Sequence, residues 1–569
     1  MTFSKIPYTR ADLNAWKQTI EDLTARFAGA QTFEEADEVY QEAEKAGQDY
    51  HTMVNVAYIR HDIDTRDAFY DGEVNFYDRE MPNLEPAFKA WTLATLQSAF
   101  RPQLEEKYGK VPFVNAEMEL KTFAPEIVED LQKENELTTR YAKLIASAQI
   151  PFRGETYTLS QLSPWKLDPD DEIRTAAWTA EGDWYNAHGR ELDEIYDELV
   201  KLRDAMGRKL GYDGYTELGY YRMQRNCYGV EDVEKFRVAV QRYLVPLAKK
   251  LYIKQAQRQG RDFPLNFADK DLAFRSGNPK PVGDAAAILD MGTKFYHELS
   301  SETAEFWDFM RSGEMMDVES RPGKSGGGYC TSLPKYRSPF IFANFNGTSH
   351  DVEVVTHEAG HAFAAYLNRD RIPASTIWPS LESCEVHSMS MEFFAWPWAE
   401  GFFGGDARKF RYDHLMGALT FIPYGTMVDH FQHVIYEYPE FGPEERHQVW
   451  QELLGLYMPW VKPGEIPFYG EGKGWQRQRH IYESPFYYID YCLAQTVALD
   501  FWARIQEDPS EAFATYLKYA KLGGSMTFTD LLKEAGLGNP FDEETLCRVC
   551  KAAEKYLLDY DLTGIDADC

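Results

Sequence analysis

Residues 356–363 read THEAGHAF and lie within a longer segment, DVEVVTHEAGHAFAAYL, whose apolar residues recur at helical spacing. Thr348 or Ser349, just before this segment, could cap the start of the predicted helix. On a helix, His357 and His361 lie one turn apart, so both imidazole rings point from the same face. A zinc ion needs this convergence of neutral nitrogen ligands, and the segment therefore predicts a metal site.

The residue that follows the first histidine strengthens this hypothesis. Glu358 is turned away from the ligand face but could reach a metal-bound water, as in the H-E-x-x-H motif of zinc peptidases. A chance match to this motif would occur in roughly one or two of every hundred such sequences, which disfavours the alternative of two unrelated surface histidines. The metzincin extension of the motif fails, because Ala364 and Leu367 stand where Gly and His are required.

A catalytic zinc ion needs a third protein ligand and an open position for water. The next segment, WPSLESCEVHSMSMEFFAW, predicts a second helix on which three glutamates share one face: Glu382, Glu385 and Glu392. Glu382 and Glu385 lie 21 and 24 residues after His361, and this spacing alone does not choose between them. The alternative for each glutamate is a place on a solvated helix face.

The rest of the chain predicts a mainly α protein with one small β-sheet next to the HExxH helix. Apolar positions recur at three- and four-residue spacing over much of the first 250 residues. Strand patterns are concentrated between about 325 and 346, in GGGYCTSL and SPFIFANF, and the polar segment 275–284 predicts a loop. We expect residues 1–170 to form an N-terminal helical region and residues 171–569 to form the catalytic region.

The composition disfavours several classes of partner. With 91 Asp and Glu against 60 Lys and Arg, the formal net charge is -31, which repels nucleic-acid backbones and anionic lipid. No segment reaches the roughly 18 consecutive apolar residues of a membrane span, and the N-terminus lacks a signal-peptide pattern. The 7 cysteines, an odd number scattered over 569 residues, suit a reducing compartment. We therefore expect a cytoplasmic protein without nucleic-acid or membrane partners.

These motifs resemble those of the thimet oligopeptidase and oligoendopeptidase F family of zinc metallopeptidases, in particular its bacterial oligoendopeptidase F-like branch. The resemblance rests on HEAGHAF followed by ESCEVHSMSMEFF, on GRKLGYDGYTELGYYRMQRNCYGVEDVEKFR upstream, and on KSGGGYCTSLPKYRSPFIFANFNGTSHDVEVVTHE. It covers at least residues 200–500, whereas the first 170 residues resemble the family only in being helical. The resemblance implies that Glu385 is the third ligand, that Glu392 is the family's second glutamate seven residues on, and that Glu382 lies near the ligands.

The segment RHIYESPFYYIDYCLAQ resembles a further piece of the family, in which a histidine and two tyrosines three residues apart reach over the zinc toward the scissile carbonyl. The resemblance implies this role for His480, Tyr488 and Tyr491, with Tyr487 as a competitor. Phenol and imidazole donors aimed at an oxyanion stabilise the transition state more than the substrate. The family fold also implies two helical lobes around a deep substrate channel, which admits short peptides and excludes folded proteins.

The combined prediction is a zinc-dependent endopeptidase, with one Zn²⁺ per chain, that hydrolyses internal bonds of short oligopeptides. Zinc on His357, His361 and Glu385 would activate water, and Glu358 would act as the general base. The GGGYC strand could pair with an extended peptide. One alternative is a metallocarboxypeptidase of similar helical fold, which would need a cation for the terminal carboxylate of its substrate. The other is a peptide-binding protein without catalysis, which the intact motif disfavours.

Overall fold

A computed structural model describes residues 1–565 of the chain. Helices make up 71% of it and the sheets are small, which confirms the predicted mainly α fold. The part before residue 171 is helical apart from one short hairpin, made of β1 (Ile150–Phe152) and β2 (Glu155–Tyr157). Its helices are α1 (Leu13–Ala28), α2 (Phe33–Ile63), α3 (Ala68–Glu80), α4 (Glu85–Gln97), α5 (Arg101–Tyr108), α6 (Val111–Glu119), α7 (Val128–Ala146) and α8 (Leu159–Leu162).

The helices of the second part begin with one of 39 residues, α9 (Asp171–Lys209). It starts where the predicted division between the two regions falls, and that division stays a prediction. The next helices are α10 (Tyr215–Arg222), α11 (Val230–Ala239), α12 (Val245–Gln259), α13 (Ala285–Leu299), α14 (Ser301–Ser312), α15 (His350–Asn368), α16 (Leu381–Phe394) and α17 (Ala399–Phe403). The last are α18 (Ala407–Glu437), α19 (Pro443–Tyr457), α20 (Arg479–Glu483), α21 (Tyr488–Glu507), α22 (Pro509–Leu522), α23 (Phe528–Ala535) and α24 (Glu543–Asp559).

Two further features of the helices bear on the sequence predictions. The polar segment 275–284 contains no helix and leads directly into α13, as expected of a loop. Among the helices within residues 1–565, none combines the length and the apolar character needed to cross a membrane.

A three-stranded sheet lies immediately before the helix that carries the metal motif, in the stretch predicted to contain strands. The strands after the hairpin are β3 (Leu265–Asn266), β4 (Met316–Glu319), β5 (Tyr329–Leu333), β6 (Ser338–Phe345) and β7 (Val461–Lys462). β6 is the central strand of the sheet, parallel to β4 and antiparallel to β5. This position explains its nearly continuous apolar sequence, because both of its faces are covered. β5 is consequently an edge strand of the sheet.

The motif helix α15 is buried along most of its length and packs against α16. At their contact, Gly360 of THEAGHAF meets the backbone of α16. A Cβ atom at this position would lie 2.6 Å from the carbonyl oxygen of His387 and 2.6 Å from Cα of Ser388, closer than real Cβ atoms approach. Glycine therefore allows the two helix backbones to come together, and this brings the glutamates of α16 beside the histidines of α15.

The expected cap of α15 by Thr348 or Ser349 is wrong. Ser349 occupies the N-cap position, but its backbone is already helical and its side chain makes no capping hydrogen bond. A side-chain cap normally needs an extended backbone at that residue. Instead, the carboxylate of Asp351 accepts hydrogen bonds from the backbone N–H groups of Asn346 and Gly347, at 2.8 and 2.7 Å. This carboxylate orders the turn that leads from β6 into α15.

The N-terminal helices reach the sheet through α2. Nδ2 of Asn55 donates a hydrogen bond to the carbonyl oxygen of Ser332 in β5, at 2.8 Å. At the penultimate residue of α2, the carboxylate of Asp62 accepts from the hydroxyls of Ser325 and Tyr329, at 2.8 and 2.9 Å. α2 thus lies beside β5 and fixes it at both of its ends.

Adding a methyl group at Gly360 should destabilise the protein. Gly360→Ala should lower the free energy of unfolding by about 1–3 kcal/mol. The new methyl group would clash with backbone atoms of α16, which cannot move aside as a flexible side chain could. Gly417 on α18 is the control, since it is exposed and a Cβ there would have no heavy atom within 4 Å. Gly417→Ala should raise the free energy of unfolding by about 0.5–1 kcal/mol. Urea unfolding measures both, and a native-like midpoint for Gly360→Ala would contradict the close contact.

Candidate active site

Two histidines of α15 and one glutamate of α16 converge on a single point. The Nε2 atoms of His357 and His361 lie 3.2 and 3.4 Å from Oε2 of Glu385, and the ligand atoms of the three residues fall within 4.8 Å of one another. Within residues 1–565, these three side chains form the one cluster of His, Cys, Asp or Glu ligand atoms that could hold a metal ion. Glu382, although buried, is not part of this cluster. Two imidazole nitrogens and one carboxylate oxygen are a donor set of catalytic zinc sites, so these residues fit the implied metal.

The electrostatics of the cluster favour positive charge at this point. Burial disfavours ionisation of Glu385, but the charge of His361 and hydrogen bonds from both histidines lower the pKa of this carboxyl group well below its ordinary value. Burial also disfavours the charged form of His357, yet hydrogen bonds to Glu385 and Glu392 raise the pKa of its ring well above the ordinary value. A cation bound by the three ligands would take the place of the proton that these groups otherwise share.

A hydrogen-bond chain behind His357 fixes which of its nitrogens faces the metal position. The indole N–H of Trp396 can only donate, and it donates to Nδ1 of His414 at 2.9 Å. His414 therefore presents Nε2–H to Oε2 of Glu392, at 2.8 Å. The other oxygen of Glu392 accepts from Nδ1–H of His357, at 2.7 Å. Nε2 of His357 is consequently left with the lone pair that a metal ligand needs.

Glu385 is held by two hydroxyl groups. The hydroxyl of Tyr487 donates to Oε1 at 2.6 Å, and Oγ of Ser388 donates to Oε2 at 3.1 Å. These bonds orient the carboxylate with Oε2 toward the two histidines. Tyr487, which the sequence presented as a competitor for the oxyanion role, contacts the third ligand instead.

Glu358 lies beside the ligands with a free acceptor atom. Its side chain is buried, and Oε2 has no hydrogen-bond partner among residues 1–565. Burial raises the pKa of this carboxyl group. Gly328, just before β5, faces it, and a Cβ at this glycine would lie 3.2 Å from Oε1 of Glu358. The glycine thus leaves space next to a carboxylate that can accept a proton from water.

A second hydrogen-bond chain orients His480 at the cavity. The hydroxyl of Tyr424 donates to Oε1 of Gln478 at 2.9 Å, and Nε2 of Gln478 donates to Nδ1 of His480 at 3.0 Å. Burial and the charge of Arg479 lower the pKa of His480 to about 4, so the ring is neutral at pH 7 and carries its proton on Nε2. This Nε2 lies 3.2 Å from the hydroxyl oxygen of Tyr491, and both side chains line the cavity.

Tyr488 lies on the other side of His480. Its ring packs edge-on against that of His480, with 5.0 Å between centroids, and contacts Phe421 and Tyr424 of α18. The residues that line the cavity include Tyr491 but not Tyr488. The structure therefore places both tyrosines beside His480, but only Tyr491 also lines the cavity.

A cavity of about 610 Å³ opens onto these groups. Residues 327–331, which lead into and form most of β5, line one part of it, and the beginning of α16 lines another. Among the lining residues that the structure describes, Arg479 is the one Lys or Arg. Its guanidinium donates to the carbonyl oxygen of Gly326 at 3.0 Å and pairs with Glu483.

Several residues of the site have no signal in the sequence: His414, Trp396, Gln478 and Tyr424. Each acts by contact with a side chain that lies elsewhere on the chain, so no local motif marks it. Glu392 did carry a signal, because its spacing places it on the same helix face as the two candidate ligands, although the spacing alone does not assign its role. What the sequence could not supply was the identity of its partners.

The fold and the site have the ligand arrangement of a metallopeptidase, with an HExxH helix and a glutamate from the following helix. Comparison with known families makes this more specific. The peptidase M3 N-terminal domain matches residues 3–123, and peptidase family M3 matches residues 297–549. The chain belongs to peptidase family M3 and, within it, to the oligoendopeptidase F family. This confirms the resemblance, and the match over residues 3–123 corrects the expectation that the first 170 residues are alike only in being helical.

Individual relatives agree with this assignment. The structure is similar to that of PZ peptidase A with inhibitor 2, with 45% identity, a TM-score of 0.97, and coverage of 98% of this chain and 100% of that one. Oligopeptidase PepF of Bacillus subtilis (strain 168) is 23% identical over 372 residues, which cover 64% of this chain and 48% of that protein. The oligoendopeptidase F homolog of Borreliella burgdorferi is 26% identical over 262 residues, 41% of this chain and 42% of that protein. The chain thus spans less than half the length of these two curated relatives.

Removing His414 should weaken metal binding although His414 is not a ligand. His414→Phe keeps a planar ring but frees Glu392 to turn, so the affinity for zinc should fall roughly ten- to hundredfold. Competition with a chromogenic chelator measures the affinity, and circular dichroism checks the fold. His430 lies on the same helix and contacts Tyr457 at 3.1 Å, so His430→Phe is the control and should bind zinc as the native protein does. Equal affinities in the two variants would contradict the orienting role of the chain.

Proposed function

We propose that this protein is a zinc-dependent endopeptidase that hydrolyses internal bonds of short peptides. The observation that carries the proposal is the free Oε2 atom of Glu358 beside His357, His361 and Glu385, in a cavity bounded by an edge strand. Membership of a peptidase family supports the class of reaction, and relatives named as an oligopeptidase and an oligoendopeptidase support peptides as substrates.

His357, His361 and Glu385 would hold the zinc ion through two nitrogens and one carboxylate oxygen. Zinc in this position supplies Lewis acidity, which makes water more acidic and polarises a carbonyl group. Oε2 of Glu358 accepts the proton of the attacking water and later passes it to the nitrogen of the leaving amine. Because the carboxylate is buried beside the ligands, it needs no large movement to reach that water.

The negative charge that develops on the substrate carbonyl oxygen needs donors from the protein. We assign this role to Nε2–H of His480 and the hydroxyl of Tyr491, which both line the cavity and lie 3.2 Å apart. Donors aimed at a developing oxyanion stabilise the transition state more than the ground state. Tyr488 packs behind His480, and its part in the reaction is to support the position of that ring.

The edge of β5 offers backbone groups to an extended peptide. Ser332 lies opposite Pro339, which has no N–H, and the Ser332 carbonyl points outward to Asn55. Alternate residues of a strand face the same side, so the N–H and C=O groups of Cys330 also point away from β6. In agreement with this, the N–H of Ile341, opposite Cys330, donates away from β5. A peptide paired here would bind through its backbone, with little demand on its sequence.

The surroundings of Arg479 favour an endopeptidase over the metallocarboxypeptidase alternative. A carboxypeptidase needs a cation that is free to hold the terminal carboxylate of its substrate. Arg479 faces the cavity, but its guanidinium is engaged by Glu483 and by the carbonyl of Gly326. One zinc ion per chain agrees with the cluster found in residues 1–565, while the cytoplasmic location stays a prediction from composition.

A peptide blocked at both ends tests the proposed function. We expect the zinc-loaded protein to cut it internally, as detected by mass spectrometry, and a chelator to abolish the cleavage. If the blocked peptide survives while the same peptide with free ends is trimmed from its C-terminus, the carboxypeptidase alternative replaces the proposal. If neither form is cut, the peptide-binding alternative does.

Replacing Glu358 with Gln should separate metal binding from turnover. The amide has the same shape but cannot accept the proton, so kcat should fall by about 10²–10⁴-fold. Zinc affinity should stay native, because Glu358 is not one of the ligands. Near-native turnover by a zinc-loaded Glu358→Gln protein would falsify the role of Glu358 as general base.

Tyr487 and Tyr491 should have different effects. Tyr487→Phe removes a donor to Glu385, so zinc affinity should fall roughly tenfold, and kcat should recover at saturating zinc. Tyr491→Phe removes a proposed oxyanion donor, so kcat/KM should fall about 10²-fold at saturating zinc, with the zinc affinity unchanged. Chelator competition and steady-state kinetics on both variants measure these effects, and the opposite pattern would exchange the two roles.

A further inference from the structure

A second cavity, of about 420 Å³, lies between the N-terminal helices and the far end of β5. Helices α1, α2 and α4 form one side of it, which is mainly apolar and contains Trp16, Ile20, Leu23, Phe88 and Trp91. The other side is formed by the end of β5 and by the loop between α15 and α16. The proposed reaction does not use this cavity.

The second cavity continues the walls of the active-site cavity. Residues 327–331 line the active-site cavity, and the next residue of β5, Ser332, lines the second one. The loop before α16 shows the same division, because Trp378 lines the active-site cavity whereas Ala374 and Ser375 line the second. A peptide paired with the edge of β5 at Cys330 would therefore continue into the second cavity beside Asn55, which already bonds the outward carbonyl of Ser332.

The position of Glu358 along this path fixes the distance between the cut bond and the second cavity. Glu358 lies beside Gly328, and Ser332 lies four positions further along the chain than Gly328, which is about 13 Å at about 3.3 Å per residue. A peptide paired antiparallel with β5, the commoner kind of pairing, would run from the second cavity toward Glu358. The side chain in the second cavity would then belong to a residue about three or four positions before the cut bond.

Two polar side chains of the second cavity are already engaged. Oε2 of Glu44 accepts a hydrogen bond from the backbone N–H of Ala374 at 2.7 Å, and Asn55 is bonded to the carbonyl of Ser332. The lining residues that the structure describes include no Lys or Arg. His51 also lines the cavity, but burial lowers the pKa of its ring and so disfavours its charged form. An acidic side chain would therefore meet Glu44 without a compensating cation, whereas an apolar side chain would meet aromatic faces.

We propose that the second cavity is a subsite for a large apolar or aromatic side chain of the peptide, about three or four residues before the cut bond. The proposal rests on the proposed endopeptidase function, since one peptide occupies both cavities. Transfer of such a side chain from water to the rings of Trp16, Phe88 and Trp91 supplies the gain in binding. The subsite would select peptides that extend far enough on the N-terminal side of the cut bond.

Two glycines on helices provide a matched pair of variants. Gly47 of α2 lines the second cavity, and a Cβ there would contact only Cδ2 of His51, at 3.8 Å, so Gly47→Leu adds a side chain at the cavity wall with no clash at its Cβ. Gly72 of α3 is exposed, and a Cβ there would have nothing within 4 Å. Gly72→Leu is therefore the control, with the same change of residue on a helix away from the cavity.

The experiment uses a blocked, alanine-rich peptide whose cut bond is first mapped with the native protein by mass spectrometry. Phe, Ala or Asp is then placed at each position before the cut bond. The value of kcat/KM is measured for each peptide, and its affinity for zinc-loaded Glu358→Gln is measured by anisotropy competition. Phe at the third or fourth position should raise both kcat/KM and affinity about tenfold relative to Ala. Asp at the same position should raise neither. Gly47→Leu should bring the Phe-to-Ala ratio close to one, and Gly72→Leu should preserve it.

The possible failures are distinguishable. If peptides are cut but the Phe-to-Ala ratio is near one at every position, or if it survives Gly47→Leu, the subsite is refuted and the endopeptidase proposal stands. If the native protein cuts no peptide, the endopeptidase proposal fails, and the affinities for Glu358→Gln then decide on the cavity alone. A position-dependent preference for Phe that Gly47→Leu abolishes would support the subsite in that case, and a flat series would refute it.

Discussion

The contact between α15 and α16 at Gly360 is the constraint on which the site depends. One helix can supply His357 and His361 but not the third ligand, because that ligand has to approach from another direction. The carboxylate of Glu385 does so from α16, at 3.2 and 3.4 Å from the two nitrogens. A Cβ at residue 360 would lie 2.6 Å from the α16 backbone. Any other residue would therefore push the two helices apart and lengthen the distances between Glu385 and the two histidines. The glycine in THEAGHAF is thus part of the ligand geometry although it binds nothing.

Two histidines that line the cavity, His357 and His480, are held in their tautomers by side chains that lie further from it. The indole N–H of Trp396, which can only donate, acts through His414 and Glu392. These contacts leave His357 with a lone pair on Nε2. The hydroxyl of Tyr424 acts through Gln478 to leave His480 with a proton on Nε2. A lone pair suits a cation and an N–H group suits an anion. The same side chain can therefore serve a metal in one place and a developing oxyanion in another, and the difference arises entirely from the hydrogen bond on its far nitrogen.

The sequence was sufficient for the mainly α fold, the strands before the motif and the histidine pair, because these depend on local periodicity and on a spacing of four residues. It was not sufficient for the third ligand. Glu382 and Glu385 lie one turn apart on the same face of α16 and are both buried, so only the tertiary contact separates them, and the family resemblance chose the one that joins the cluster. Tyr487 and Tyr488 pose the same difficulty on a smaller scale. They are adjacent at the start of α21, where the exact first residue of the helix decides which ring faces the cavity and which faces α18.

The position of α2 protects the edge strand to which we assign peptide binding from the usual hazard of such strands. An exposed edge invites pairing with other chains and aggregation. In this protein α2 holds β5 at both ends, through Asn55 at Ser332 and through Asp62 at Tyr329, so the free backbone groups between them lie inside a cleft. In the proposed function, a substrate would reach these backbone groups as an extended strand.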